Sequence, residues 1–160
     1  MRLAVAAVGR MKAGPERELS ERYFDRLKKA GPAVAFEFQS LAEYPESRLG
    51  SVTERRRDEA ERLGAAIPEG AVRVVLDETG KTLTSEDFAE ALAKFRDTGR
   101  RDLVFLIGGP DGHDPSLTSS ADLVLSLGRM TFPHQIARIL LAEQIYRSAT
   151  ILAGHPYHRS

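Results

Sequence analysis

The sequence predicts an α/β fold, a mostly parallel sheet with helices on both faces. Three observations carry this. Five apolar runs alternate with five helical patterns from one end of the chain to the other. Several runs are continuous rather than alternating, which suits strands covered on both sides. No internal repeat, low-complexity tract or linker interrupts the alternation, so 1–160 reads as a single domain.

The strands are expected at "RLAVAAVG" (2–9), "AVAFEF" (33–38), "AVRVVLD" (71–77), "DLVFLIG" (102–108) and "DLVLSL" (122–127). Helical patterns fall at about 15–30, 51–66, 84–97, 114–121 and 133–152. Gly31-Pro32 closes the first helix. Residues 39–50, "QSLAEYPESRLG", have neither period and read as a mobile loop. Thr84 or Ser85 opens the third helix, with Asp87 at the capping-box position from Thr84, and Gly99 ends it. The last helix is two-sided. Ala142, Ile145, Tyr146, Ala149 and Leu152 share one apolar face, whereas Ile136 and Leu140 fall on the other among Glu143, Gln144 and Arg147. Two apolar sides need two partners, and a twofold dimer is the commonest way to cover the second.

Composition narrows the chemistry. With no cysteine, disulfides, thiolate metal sites and cysteine nucleophiles are all excluded. The start "MRLAVAAVGR" is too short for a signal peptide, and no run approaches the ~20 apolar residues of a membrane span, so a soluble cytoplasmic protein is expected. Twenty-three basic residues balance 23 acidic ones, which is unlike a dedicated nucleic-acid binder, although clusters occur at 55–57, 96–101 and the tail. Arg55 to Arg57, flanked by acids on a helix, read as a solvated face. His113, His134, His155 and His158 lack metal-ligand spacing, so no metal is expected.

Two glycine-opened loops stand out. In "LVFLIGGPDGHDP" a strand runs into Gly108-Gly109-Pro110-Asp111-Gly112 before a short helix. Such a loop lies at the carboxyl end of its strand, where open α/β sheets bind ligands, though a plain turn has the same composition. It matches neither the dinucleotide fingerprint nor a phosphate-binding loop. In "SLGRMTFPHQIARILLAEQIYR" another strand ends at Leu127-Gly128-Arg129-Met130-Thr131-Phe132, and Pro133 fits a first helical turn. Both loops share one sheet edge, where a flat heterocycle can be read by backbone groups. Glu143 and Arg147, four apart, pair with each other.

These two stretches, followed by "HPYHR" at 155–159, resemble the SPOUT superfamily of methyltransferases, and most closely its ribosomal RNA large subunit methyltransferase H family. "RLAVAAVGRMK" and "VVLDETGKTLTSEDFA" extend the likeness toward the start. The resemblance implies a carboxyl-terminal trefoil knot, a homodimer, and S-adenosylmethionine as cofactor. By position, Leu76, Gly108, Gly109, Leu127, Gly128, Arg129, Met130, Thr131 and Phe132 would bind it. It also implies methylation of N3 of a pseudouridine in 23S rRNA. Of the tail, Tyr157, His158 and Arg159 would bind or deprotonate the uracil face, with His134 a lesser candidate. N3–H is a weakly acidic imide that must lose its proton before attack. Zero net charge and no separate RNA-binding domain predict poor affinity for free RNA, hence recognition of the large subunit or 70S ribosome. Two alternatives stand: a SPOUT enzyme for another RNA position, and a non-catalytic ribosome-associated dimer.

Overall fold

The computed structural model describes residues 1–159. In chain order it comprises β1 (Arg2–Val8), α1 (Pro15–Ala30), β2 (Glu37–Tyr44), α2 (Val52–Gly64), β3 (Val72–Thr82), α3 (Ser85–Asp97), β4 (Asp102–Ile107), α4 (Pro115–Ser119), β5 (Leu123–Ser126) and α5 (His134–Leu152). The strands form one sheet in the order β2-β1-β4-β3-β5, and every pairing is parallel.

The continuous apolar runs split by parity onto two cores. Leu3, Val5, Val72, Val74, Leu103, Phe105 and Ile107 join α1, α3 and α5 on one face. Ala6, Val8, Val75, Val104 and Leu106 join α2 and α4 on the other. A side-chain period of two sends neighbours to opposite faces, so a strand buried twice needs no polar alternation. Three helix starts, those of α2, α3 and α4, carry side-chain caps. Ser51 and Glu54 form a reciprocal capping box, Thr84 Oγ1 accepts the Asp87 N–H at 3.0 Å, and Asp114 opens α4 through the Ser116 N–H at 2.9 Å.

The second strand departs from expectation. Residues 31–34 make a 3-10 turn, Ala35 adopts a left-handed φ of 56°, and pairing begins at Glu37. The strand then runs to Tyr44, through part of the predicted loop. Its register explains why it was hidden. Leu3 pairs with Phe38 but Ala4 pairs with Ser40, so Gln39 is a bulge that resets the alternation. Phe38 and Leu41 consequently both pack on the α1 side, with Phe38 stacked on Phe24 at 4.4 Å.

Because the sheet is parallel, all strand exits share one edge. β1, β3 and β5 leave toward the α1–α3–α5 face, whereas β4 leaves toward the α2–α4 face, so crevices open on both sides of the β4 exit. β3 contributes an excursion. Leu76 and Lys81 both register with Leu125, and residues 77–80 loop out between them, Asp77 accepting the Thr79 N–H at 2.9 Å. Gly80 makes this possible, since a Cβ there would lie 2.7 Å from the backbone of Val124 and Leu125. At the far side, Arg138 of α5 is 1% exposed and donates to Glu43 Oε1 at 2.7 Å and to the Gly9 carbonyl at 2.8 Å. It ties α5 to the carboxyl ends of β1 and β2.

Two substitutions test these constraints by chemical and thermal unfolding. Gly80→Ala is expected to destabilise by about 1–3 kcal/mol through overpacking, while Gly64→Ala, with nothing within 4 Å, is neutral or slightly stabilising. Arg138→Ala strands Glu43 and the Gly9 carbonyl, and is expected to lose about 2–4 kcal/mol, discounted because Glu43 is partly solvated.

Candidate active-site cleft

A cleft of about 490 Å³ opens where the exits of β3, β4 and β5 meet. The β3 exit contributes Leu76 to Thr79, the β4 exit Ile107 to His113, and the β5 exit Leu125 to Gly128 with Met130, Thr131 and Phe132. His134 and Ala137 of α5 close the end toward β1. Among the residues singled out from sequence, Leu76, Gly108, Gly109, Leu127, Gly128, Met130, Thr131 and Phe132 therefore share one wall-to-wall site. Arg129 belongs to the same loop but is exposed and outside the lining, and Met130 is 76% exposed at the rim.

Local chemistry shapes the loops. Gly128 has φ 147°, and Ser126 Oγ both donates to its carbonyl at 2.9 Å and accepts its N–H at 3.3 Å, bending the chain back over the cleft. Gly112 N–H closes a turn on the Gly109 carbonyl at 3.0 Å. At Gly108 and Gly109 the space a side chain would fill is taken by the protein itself. A Cβ on Gly108 would lie 3.2 Å from His113 Nε2, and one on Gly109 would lie 2.9 Å from Val8 and 3.1 Å from Glu59 Oε2.

The helix α2 grips this turn, which corrects the reading of Arg55 to Arg57 as a solvated face. Arg55 holds the Asp111 carboxylate at 2.6 and 3.3 Å, and Arg56 donates to the Asp111 carbonyl at 2.7 Å. The Arg55 guanidinium keeps the Asp111 carboxyl below its usual range. Only Arg57 of the three stays exposed. His113 is buried, and burial lowers its pKa against the pull of Asp77 and of the Leu76 and Leu106 carbonyls, which keeps the imidazole neutral. Neither ring nitrogen makes a hydrogen bond of acceptable geometry. Arg56, Asp77, Thr79 and His113 were not singled out as ligands from sequence. The signal for Asp77 and Thr79 was present, an Asp-x-Thr turn directly after a strand.

The tail lies elsewhere. Past α5 the chain turns at Gly154 and doubles back along the helix. Tyr157 donates its hydroxyl to Glu143 at 3.0 Å, packs on Tyr146 at 4.8 Å and sits under the Arg147 guanidinium at 4.8 Å. His158 bridges Arg147 at 3.3 Å and Glu86 at 2.6 Å. Arg159 is exposed. None of the three lines the cleft of its own chain. Glu143 and Arg147 do pair, Arg147 Nε lying 3.0 Å from the carboxylate.

Among the described residues no helix is long and apolar enough to cross a membrane, and no group of three or more His, Asp or Glu side chains could hold a metal ion.

Comparison with known proteins places this architecture. Residues 1–158 match the family model described as "Predicted SPOUT methyltransferase". The chain is 61% identical to a Brucella anthropi protein named Ribosomal RNA large subunit methyltransferase H, over the full length of both. It is 59% identical, again over the full length of both, to the protein of that name from Brucella abortus strain S19. Among solved structures it is similar to the SpoU methyltransferase AviRb from Streptomyces viridochromogenes in complex with the cofactor AdoMet. That match has a TM-score of 0.40 and 14% identity, covering 92% of this chain and 59% of that one. From residue 1 to residue 158, this chain belongs to the SPOUT methyltransferase family.

Proposed function

We propose that this protein is an S-adenosylmethionine-dependent methyltransferase that modifies N3 of a pseudouridine in 23S rRNA, acting in the cytoplasm as a homodimer on the large subunit or 70S ribosome. One observation carries the reading. Three stretches distant in sequence, around 76, 108 and 130, converge on a single cleft in a chain 61% identical throughout to a protein named for large-subunit rRNA methylation.

The cleft fits the methyl donor. Leu76, Ile107, Leu125, Leu127 and Phe132 give apolar walls for a purine, and the Gly108–Gly109 and Gly128 backbones offer polar contacts. Asp77 and Glu78 supply carboxylates suited to a sulfonium or ammonium group. The lining arginine, Arg56, is spent on the Asp111 carbonyl and forms no phosphate nest. The volume lies within the usual range of about 300–1,000 Å³ for small-molecule sites. Leu76, Gly108, Gly109 and the 127–132 loop would hold the donor, with Arg129 at the rim. When bound, S-adenosylmethionine supplies an already electrophilic methyl.

The protein's share is position and proton handling. Aligning N3 in line with the methyl lowers the barrier by up to about 7–11 kcal/mol, and a positioned base adds roughly 10²–10⁴-fold. In the homodimer, the Tyr157–His158–Arg159 segment of one copy completes the cleft of the other, binding the uracil and taking or stabilising its N3 proton. The exposed Ile136, 39% accessible, and the rim residue Met130 are apolar surface that a second copy would cover. The carboxyl-terminal knot belongs to the same proposal. Residues 127–133 cross the strand exits before α5 begins, the course a threaded chain takes.

Nucleoside mass spectrometry of rRNA from a deletion strain tests the reaction. Loss of one N3-methylpseudouridine is expected, and loss of a different modification, or of none, overturns it. His158→Ala is expected to lose at least about tenfold in turnover with unchanged S-adenosylhomocysteine affinity. Unchanged turnover removes the proposed proton role. Purified 70S ribosomes should be methylated far better than naked transcript at matched salt.

A further inference from the structure

Glu59 is a buried carboxyl for which the proposed reaction has no use. It projects from α2, is 4% exposed, and lies within the crevice between the β1 and β4 exits. Oε1 accepts the Ser47 N–H at 2.9 Å, which fixes the segment between β2 and α2. Oε2 has no hydrogen-bond partner and lies, with Val8, over the side of Gly109 that a side chain would occupy. One helical turn earlier, Arg55 and Arg56 hold Asp111 of the same glycine-opened turn. The turn that faces the cleft is thus gripped from behind at two levels of one helix.

We propose that Glu59 is a positioning residue for the methyl-donor cleft, locking the Gly108–Gly109 turn to α2 and to the 45–50 segment through one carboxyl. This rests on the function proposed above and extends it to a residue outside the cleft lining. The site disfavours the ionised form of the carboxyl. Ionised, it would leave a buried oxygen with neither bond nor counter-charge, which is costly. Its surroundings point the same way. Burial foremost, then the carboxylates of Asp111 and Glu46, push its pKa up, opposed by the Ser47 N–H and Arg62. Arg62 is engaged with Asp58 and the Pro45 carbonyl, Arg55 and Arg56 with Asp111. From α5, His134 and Arg138 approach Gly9 rather than the carboxyl, and Glu46 stands beside His134 there.

The sign of the pH effect follows. A carboxyl with a raised pKa in the folded protein contributes stability that is full at low pH and is lost as pH rises through the folded pKa. The amide of Glu59→Gln keeps the shape and cannot ionise. Full-length wild type, Glu59→Gln and Glu59→Ala are titrated calorimetrically with S-adenosylhomocysteine from about pH 4 to about pH 8, alongside thermal unfolding at each pH. Glu59→Gln is expected to bind within about threefold of wild type at the acid end and to gain on it, in affinity and in unfolding midpoint, as pH rises. Glu59→Ala is expected to bind at least about tenfold more weakly throughout, raising KM for the donor more than it lowers kcat. Should Glu59→Ala not fold, Glu59→Asp, shorter by one carbon, carries the same comparison. Wild-type affinity in Glu59→Ala, or parallel pH profiles for wild type and Glu59→Gln, overturns the proposal. Absence of binding by wild type at any pH overturns the function instead, and the unfolding profiles then decide the state of Glu59.

Discussion

Arg138 lies in the second turn of α5 with its terminal nitrogens on the Glu43 carboxylate and the Gly9 carbonyl, nearly sealed from water. A buried guanidinium that loses such partners costs several kcal/mol, so the start of α5 is pinned to the ends of β1 and β2. β5, from which the chain arrives, ends three strands away at the opposite edge. Strands spaced about 4.8 Å apart make that a sideways distance of roughly 14 Å. The seven residues 127–133 reach at most about 23–25 Å when extended. They must therefore run across the exits of β3 and β4, with slack only for the bend at Gly128. The cleft is the space beneath that crossing, and its position follows from where one cation is buried.

Glycine does two jobs around the cleft, and only one concerns a ligand. A loop of glycines invites the inference that backbone is being bared to a bound molecule. Gly128, at φ 147° and with only the Phe132 ring at van der Waals distance, 4.0 Å, from where a Cβ would sit, is consistent with that inference. At Gly80, Gly108 and Gly109 the excluded Cβ would strike the protein's own Val124 and Leu125 backbone, His113, or Val8 and Glu59. Those glycines let two segments close on each other, which makes the walls stiff before anything binds. Preorganisation of this kind lowers the ordering cost that a ligand would otherwise carry.

What was legible in the sequence is what repeats. Leu3 to Val8 and Leu103 to Ile107 read as doubly covered strands because both cores are apolar, and the structure divides them by parity. β2 was only half visible, since the Gln39 bulge breaks the period that identifies a strand and the Ala35 turn moves its start past "AVAF". The glycine-opened loops could be placed at one edge because parallel topology leaves them no other. Long-range polar pairings were out of reach. Nothing local marks Arg138 as buried when its partners are 95 and 129 residues away, and Arg55 and Arg56 among acids resemble any solvated helix until Asp111 is brought across 55 residues. The two-sided composition of α5 implied two covered faces; within the single chain Ala142, Ile145 and Ala149 are buried, whereas Ile136 on the other side is exposed.

The concentration of reactive side chains in the last residues now has a physical basis. A fraying terminus would waste them, but this one is held by Tyr157 on Glu143, by its ring between Tyr146 and Arg147, and by His158 between Arg147 and Glu86. Burial first, then the bond to Glu143, drives the Tyr157 phenol far above its ordinary pKa, so it keeps its proton and acts as donor and anchor, not as base. Arginine stays charged and can only stabilise an anion. Imidazole is the group suited to accept a proton near neutrality. If the segment serves a neighbouring cleft in a dimer, the chemistry would divide accordingly: Tyr157 would fix the path, Arg159 at the exposed tip would meet developing negative charge on the uracil, and His158 would take the proton only on releasing Arg147 from Nδ1.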